Sequence, residues 1–174
     1  IPGRVTFEMN TISVSDQYII AGDVGNATGD VDFVGEVIIG GSVSDDFNVK
    51  AGKSLTIKGA IGGKCAIESA GDMAIGGGMS SNGSGTIRCG GELNARYLDG
   101  VNVECRKNVF VKNEIVNCNI KSGGTIKVDI GSIVGGQYLA LRGIEAKGIG
   151  SESGVRTVLT VGICYITAAK IEEL

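Results

Sequence analysis

An apolar residue opens a similar short unit again and again along this chain: Val31, Val49, Ile67, Ile87, Val103, Ile120 and Leu139. The intervals are 18, 18, 20, 16, 17 and 19 residues, with a mean of 18. Two positions after each anchor stand Phe33, Ala51, Ser69, Cys89, Cys105, Ser122 and Leu141, a column of mostly small side chains. Six positions on come Val37, Leu55, Met73, Leu93, Val109 and Ile126, and eight on come Ile39, Ile57, Ile75, Ala95, Val111 and Val128. In the last unit the later places fall to Ile144 and Ala146, a slip of one. A third apolar point follows at Val43, Ile61, Met79 and Ile115.

Within a unit the apolar positions alternate with period 2, which is strand behaviour. Eighteen residues are too few for a strand plus a crossover helix. They suffice for one coil of a parallel β-solenoid, whose coils stack at the ~4.8 Å strand spacing. The chain's 30 glycines point the same way. Each costs a helix roughly 1 kcal/mol against Ala, whereas the tight corners at Gly41, Gly59 and Gly77 suit them. The sequence therefore predicts an all-β, single-stranded parallel β-helix of about seven coils of ~18 residues. Parallel connections favour the right hand. The uneven intervals and the doubled inward pattern argue against a left-handed hexapeptide helix. Residues 1–30 read as capping strands over the first coil, 31–162 as the β-helix, and 163–174 as a tail where a truncated helix begins.

Composition excludes several function classes. There is no His, which removes the commonest general base together with Ser-His-Asp, Cys-His and imidazole-zinc chemistry. A net charge of −3 gives no basic face for a nucleic acid. No apolar run approaches the ~18 residues of a membrane span. The five cysteines, Cys65, Cys89, Cys105, Cys118 and Cys164, are odd in number and include no Cys-x-x-Cys. They read as reduced thiols, mostly buried, in a cytoplasmic protein. No catalytic, cofactor-binding or metal-binding residue is expected.

Two features invite closer attention. The longest unit contains the Gly-rich stretch Gly76–Gly85, and Ser80, Ser81, Asn82, Gly83 and Ser84 form its expected protruding loop, a candidate partner contact. It lacks the Gly-Lys-Ser/Thr ending of a phosphate loop. The column just after the anchors reads Asp32, Lys50, Glu68, Arg88, Glu104 and Lys121, so the charge sign alternates through six units. Period 2 places it outside, as a ladder of ion pairs that avoids stacking like charges. Asp45, Asp46 and Asp99 are the candidate carboxylates for polysaccharide-lyase chemistry, and the first two read as an exposed turn.

The stretches GDVDFVGEVIIGGSVSDDFNVKAGKSLTIKGAIGG, GGELNARYLDGVNVECRKNVFVKNEIVNCNIKSGGTIKV and GSIVGGQYLALRGIEAKGIGS resemble the β-helical core of the bacterial flagellar assembly protein A (FapA) family. The resemblance covers roughly Gly29 to Gly162. Its most specific parts are Ala95–Leu98, Ile133–Gly136 and Ile149–Ser151, and Cys164–Leu174 departs from the family's pattern. It implies a cytoplasmic assembly or scaffold role tied to flagella or cell-pole organisation, exercised through protein partners, with no catalytic residues to carry over. The alternatives are a self-polymerising cytoskeletal element of the bactofilin type, which makes the chain a homo-oligomer, and a polysaccharide-acting β-helix enzyme.

Overall fold

A computed structural model describes residues 4–9 and 11–167. Apart from one antiparallel hairpin, the paired strands run parallel and wind into a β-solenoid of about eight turns with three faces. The first face stacks Val31–Phe33, Val49–Ala51 and Ala66–Ser69, then the later parts of the long strands Gly78–Cys89, Leu93–Cys105 and Val109–Ser122, and ends on Ser132–Ala140 and Thr157–Val161. The second stacks Gln17–Ile20, Glu36–Ile39, Leu55–Ile57 and Met73–Ile75, the openings of two of those long strands, then Thr125–Val128 and Gly143–Glu145. The narrow third face is the column Val24, Val43, Ile61, Met79, Leu98, Ile115, Ile133 and Ile149.

The three faces turn one set of side chains inward. Val49, Ile67, Ile87 and Ile120 from the first face meet Val37, Leu55, Leu93 and Val109 from the second, and all are fully buried. Each such side chain contributes about 1.5–3 kcal/mol when removed from water. Because each coil repeats the same columns, the buried residues form one continuous rod-like core along the stack. At its N-terminal end the rod is closed by Tyr18 and Phe33, whose rings lie 5.7 Å apart at a tilt of 59°.

The last full unit corrects the expected register. Tyr138, not Leu139, pairs with Ile120, and Ile144 pairs with Ile126, so the unit has no slip. Tyr138 is an inward anchor despite its hydroxyl, which donates to the Gly135 carbonyl at 2.7 Å and so enters the core satisfied. Ala140, not Leu141, therefore continues the small-residue column.

The parallel ladder reaches further toward the N-terminus than residue 31, since Gln17–Ile20 pairs with Glu36–Ile39. The hairpin of Arg4–Glu8 and Thr11–Ser15 stands outside that ladder. Val5, Phe7, Ile12 and Val14 of that hairpin are exposed. In the tail, residues 165–167 are helical, and residues 168–174 lie outside the described residues.

Candidate interaction surfaces

The six residues of the alternating charge column fall in one register line on the first face. Asp32 pairs with Lys50, Lys50 with Glu68, Glu68 with Arg88, Arg88 with Glu104, and Glu104 with Lys121. Arg88 reaches in both directions, to Glu68 at 3.3 Å and to Glu104 at 3.7 Å, and Lys121 meets Glu104 at 3.5 Å. These side chains are 36–67% exposed, so water and salt screen them and each pair is worth only ~0.2–1 kcal/mol. The C-terminal segment lies against this face: Tyr165 and Ile166 help line a groove with Arg88, Glu104, Arg106 and Lys121. Burial there pushes the Tyr165 phenol up to about 12.

Ser80–Ser84 is a bulge inside the strand Gly78–Cys89 rather than a separate loop. Ser80 pairs with Asp99 and Gly85 with Val101, so four residues stand opposite Gly100 alone. The excess is absorbed because its polar groups find partners. Ser81 is buried and its hydroxyl accepts the Gly85 N–H at 2.7 Å; Ser80 donates to Asp99 at 3.1 Å; the Gly83 carbonyl accepts from Asn102 at 2.8 Å. Asn82, Gly83 and Ser84 remain exposed at the crest.

Asp45 and Asp46 sit in an exposed turn, where Asp46 has a φ of 66° and Asp45 accepts the Gly63 N–H. Asp99 is occupied by Ser80. Among the described residues, no three His, Cys, Asp or Glu side chains lie close enough together to hold a metal ion. Cys89 and Cys105 are in-register neighbours of the small-residue column. Both thiols donate to main-chain carbonyls, Cys89 to Glu92 at 3.3 Å and Cys105 to Gly91 at 3.1 Å. Its contact with Cys89, together with burial, pushes the Cys105 thiol up, and burial pushes Cys118 up to about 11. Buried and protonated, the Cys105 and Cys118 thiols are inert as nucleophiles.

A set of polar corner residues went unnoticed in the sequence. Asp23, Asp30, Asn48, Asp72 and Asn108 each accept, through a side-chain oxygen, a main-chain N–H of the next coil at 2.7–2.9 Å. They read as ordinary turn formers. The available signal was spacing at the coil period, 18 residues from Asp30 to Asn48 and 36, two coils, from Asp72 to Asn108.

No helix among the described residues is long and apolar enough to cross a membrane. The family model described as the Flagellar Assembly Protein A beta solenoid domain matches residues 16–174. The match opens one residue before Gln17–Ile20 enters the ladder, leaving the hairpin outside it. No curated protein and no solved structure matches the chain.

Proposed function

The chain belongs to the Flagellar Assembly Protein A β-solenoid family, and on that premise we propose that it is a non-catalytic interaction module, serving flagellar assembly in the cytoplasm by presenting its outer faces to protein partners. The observation that carries this reading is where the polar groups are spent. Among the described residues no buried side-chain nitrogen or oxygen lacks a hydrogen-bond partner. Carboxylates and amides at the corners hold the next coil, and the charge column holds its own neighbours. A catalytic site needs convergent groups held ready for a substrate; here the polar groups serve the stack. The test is affinity capture with the full-length protein as bait, in cells that build flagella. Recovery of flagellar assembly components supports the reading, and turnover of a polysaccharide by the purified protein sinks it. Deleting Asn82–Ser84 asks whether the bulge is a contact: unchanged capture removes it.

A second reading, end-on self-association, draws on the C-terminal end of the rod. Among the described residues Thr157–Val161 pairs on one side only, and its inward-column residues Leu159 and Val161 are 37% and 50% exposed. Sedimentation separates the two, because an end-to-end polymer pellets and a discrete module does not.

A further inference from the structure

The second face carries a charge column of a different design. Ile57, Ile75, Ala95, Val111 and Val128 are in register, so the residues that follow them at the corner are Lys58, Gly76, Arg96, Lys112 and Asp129, and like charges stand side by side at Arg96 and Lys112. Arg96 and Lys112 stand on adjacent coils, Lys58 lies two coils before Arg96, and all three are exposed. Among the described residues none of the three has a carboxylate within 4.0 Å, whereas Lys127, nearby, is tied to Glu145 at 3.1 Å. Like charges stacked on neighbouring strands destabilise a sheet. The chain avoids that cost on the first face by alternating signs and accepts it here, in a molecule that is acidic overall.

Beside this column lies a concavity of about 840 Å³, lined by Ala74, Gly76, Asn94, Arg96, Phe110 and Lys112 among others. It exists because side-chain bulk is missing on one coil. Ala74 stands in register between Thr56 and Asn94. Gly76 has no room for a Cβ, which would run into the Lys58 carbonyl oxygen. Phe110, half-buried, forms an apolar wall over this hollow; Arg96, Lys112, Lys127 and Asp129 line it as well, and Lys58 stands beyond Gly76 in the same corner column.

We propose that this hollow is the docking site for an extended acidic segment of a partner protein, whose carboxylates meet Lys58, Arg96 and Lys112 while an apolar side chain packs on Ala74 and Phe110. This deepens the interaction-module reading and rests on it. From Lys58 to Lys112 is three coils, ~14 Å at ~4.8 Å each, the reach of four or five extended residues. Carboxylates on alternate residues of such a segment fall on one side and the residues between them on the other. The apolar wall, and a basic run that ends at Asp129, favour a short segment with apolar side chains over a nucleic acid, which needs an uninterrupted basic track.

The test uses the 174-residue chain and a fluorescent ten-residue peptide of alternating Glu and Leu, followed by anisotropy at low salt. The expected result is saturable binding that the double variant Arg96→Glu/Lys112→Glu weakens at least tenfold and Phe110→Ser weakens severalfold. The control Lys64→Glu/Arg156→Glu makes the same change in net charge elsewhere and should leave binding intact. Equal loss in both double variants, no binding at all, or tighter binding of an oligothymidylate than of the peptide overturns the proposal. Capture from cells keeps it separate from the module reading. Flagellar partners still held by the groove double variant leave the module standing and remove this site; no partner under any condition removes the module itself.

Discussion

Asp72 on one coil and Glu92 on the next are joined through the main chain: Asp72 Oδ1 accepts the Glu92 N–H at 2.8 Å. Glu92 lies where the chain turns between faces, so its N–H has no ladder carbonyl to meet, and the aspartate supplies the acceptor. A hydrogen bond of this kind is worth about 1 kcal/mol net, somewhat more with a charged acceptor. Asp72→Ala should lower the melting temperature by roughly 2–4 °C for a domain of this size. Asp72→Asn keeps an oxygen in place and should recover most of the loss. Melts followed by circular dichroism check this, and an alanine variant as stable as the parent would remove the corner residues from the account of stability.

The charge column makes a prediction with a salt signature. Arg88 bridges Glu68 and Glu104, so Arg88→Glu sets three acids on consecutive coils. Two exposed pairs are lost and two like-charge contacts appear, each worth a few tenths to ~1 kcal/mol. The melting temperature should fall by a few degrees at low salt. Part of that loss should return near 0.5 M salt, where the screening length shortens to roughly 4 Å. A deficit independent of salt would mean that Arg88 acts through packing of its stem instead.

Alkaline pH should loosen the rod through its buried acids. The Cys118 thiol, ordinarily near 9.0, is raised to about 11 by burial, and burial raises the Tyr138 phenol as well. Between pH 9 and 11 the unfolded chain releases the Cys118 proton and the folded chain keeps it. The folded state then binds more protons, and stability falls as pH rises. For Cys118 the loss approaches roughly 2–3 kcal/mol by pH 11, at about 1.4 kcal/mol per unit. Cys118→Ala should melt lower at pH 8 but lose less between pH 9 and 11. An equal slope in both proteins would sink the assignment to this thiol.

The parts of the fold that could be read from the sequence are those where one physical cause acts at every coil. Inward columns such as Val37, Leu55 and Met73 repeat because burial repeats, and the signs from Asp32 to Lys121 alternate because stacked charges interact. Tyr138 was misplaced because a hydroxyl argues for the surface until its acceptor, the Gly135 carbonyl, is known. Gln17–Ile20 was separated from the ladder because the irregular stretch between Gly22 and Gly29 interrupts the period there. The hollow beside Arg96 depends on Ala74 and Gly76 being small on the same coil, and no single column of the sequence shows that coincidence.

The bulge at Ser81–Ser84 makes two glycines unequal. Gly83, at its crest, has φ of +90° and open space where a Cβ would stand. Gly83→Ala should therefore cost only backbone strain, roughly 1–3 kcal/mol. Gly100, opposite the bulge, has φ of +61°, and a Cβ there would run into the Ser81 carbonyl oxygen. That carbonyl belongs to the residue whose hydroxyl accepts the Gly85 N–H at 2.7 Å, so displacing it opens the turn that holds the extra residues. Gly100→Ala should therefore be the more destabilising of the two by at least ~1 kcal/mol, since strain and backbone displacement add. Urea unfolding of both variants gives the comparison directly. Equal midpoints, or a lower midpoint for Gly83→Ala, would show that the Ser81 carbonyl is free to move and that the bulge is not held from below by Gly100.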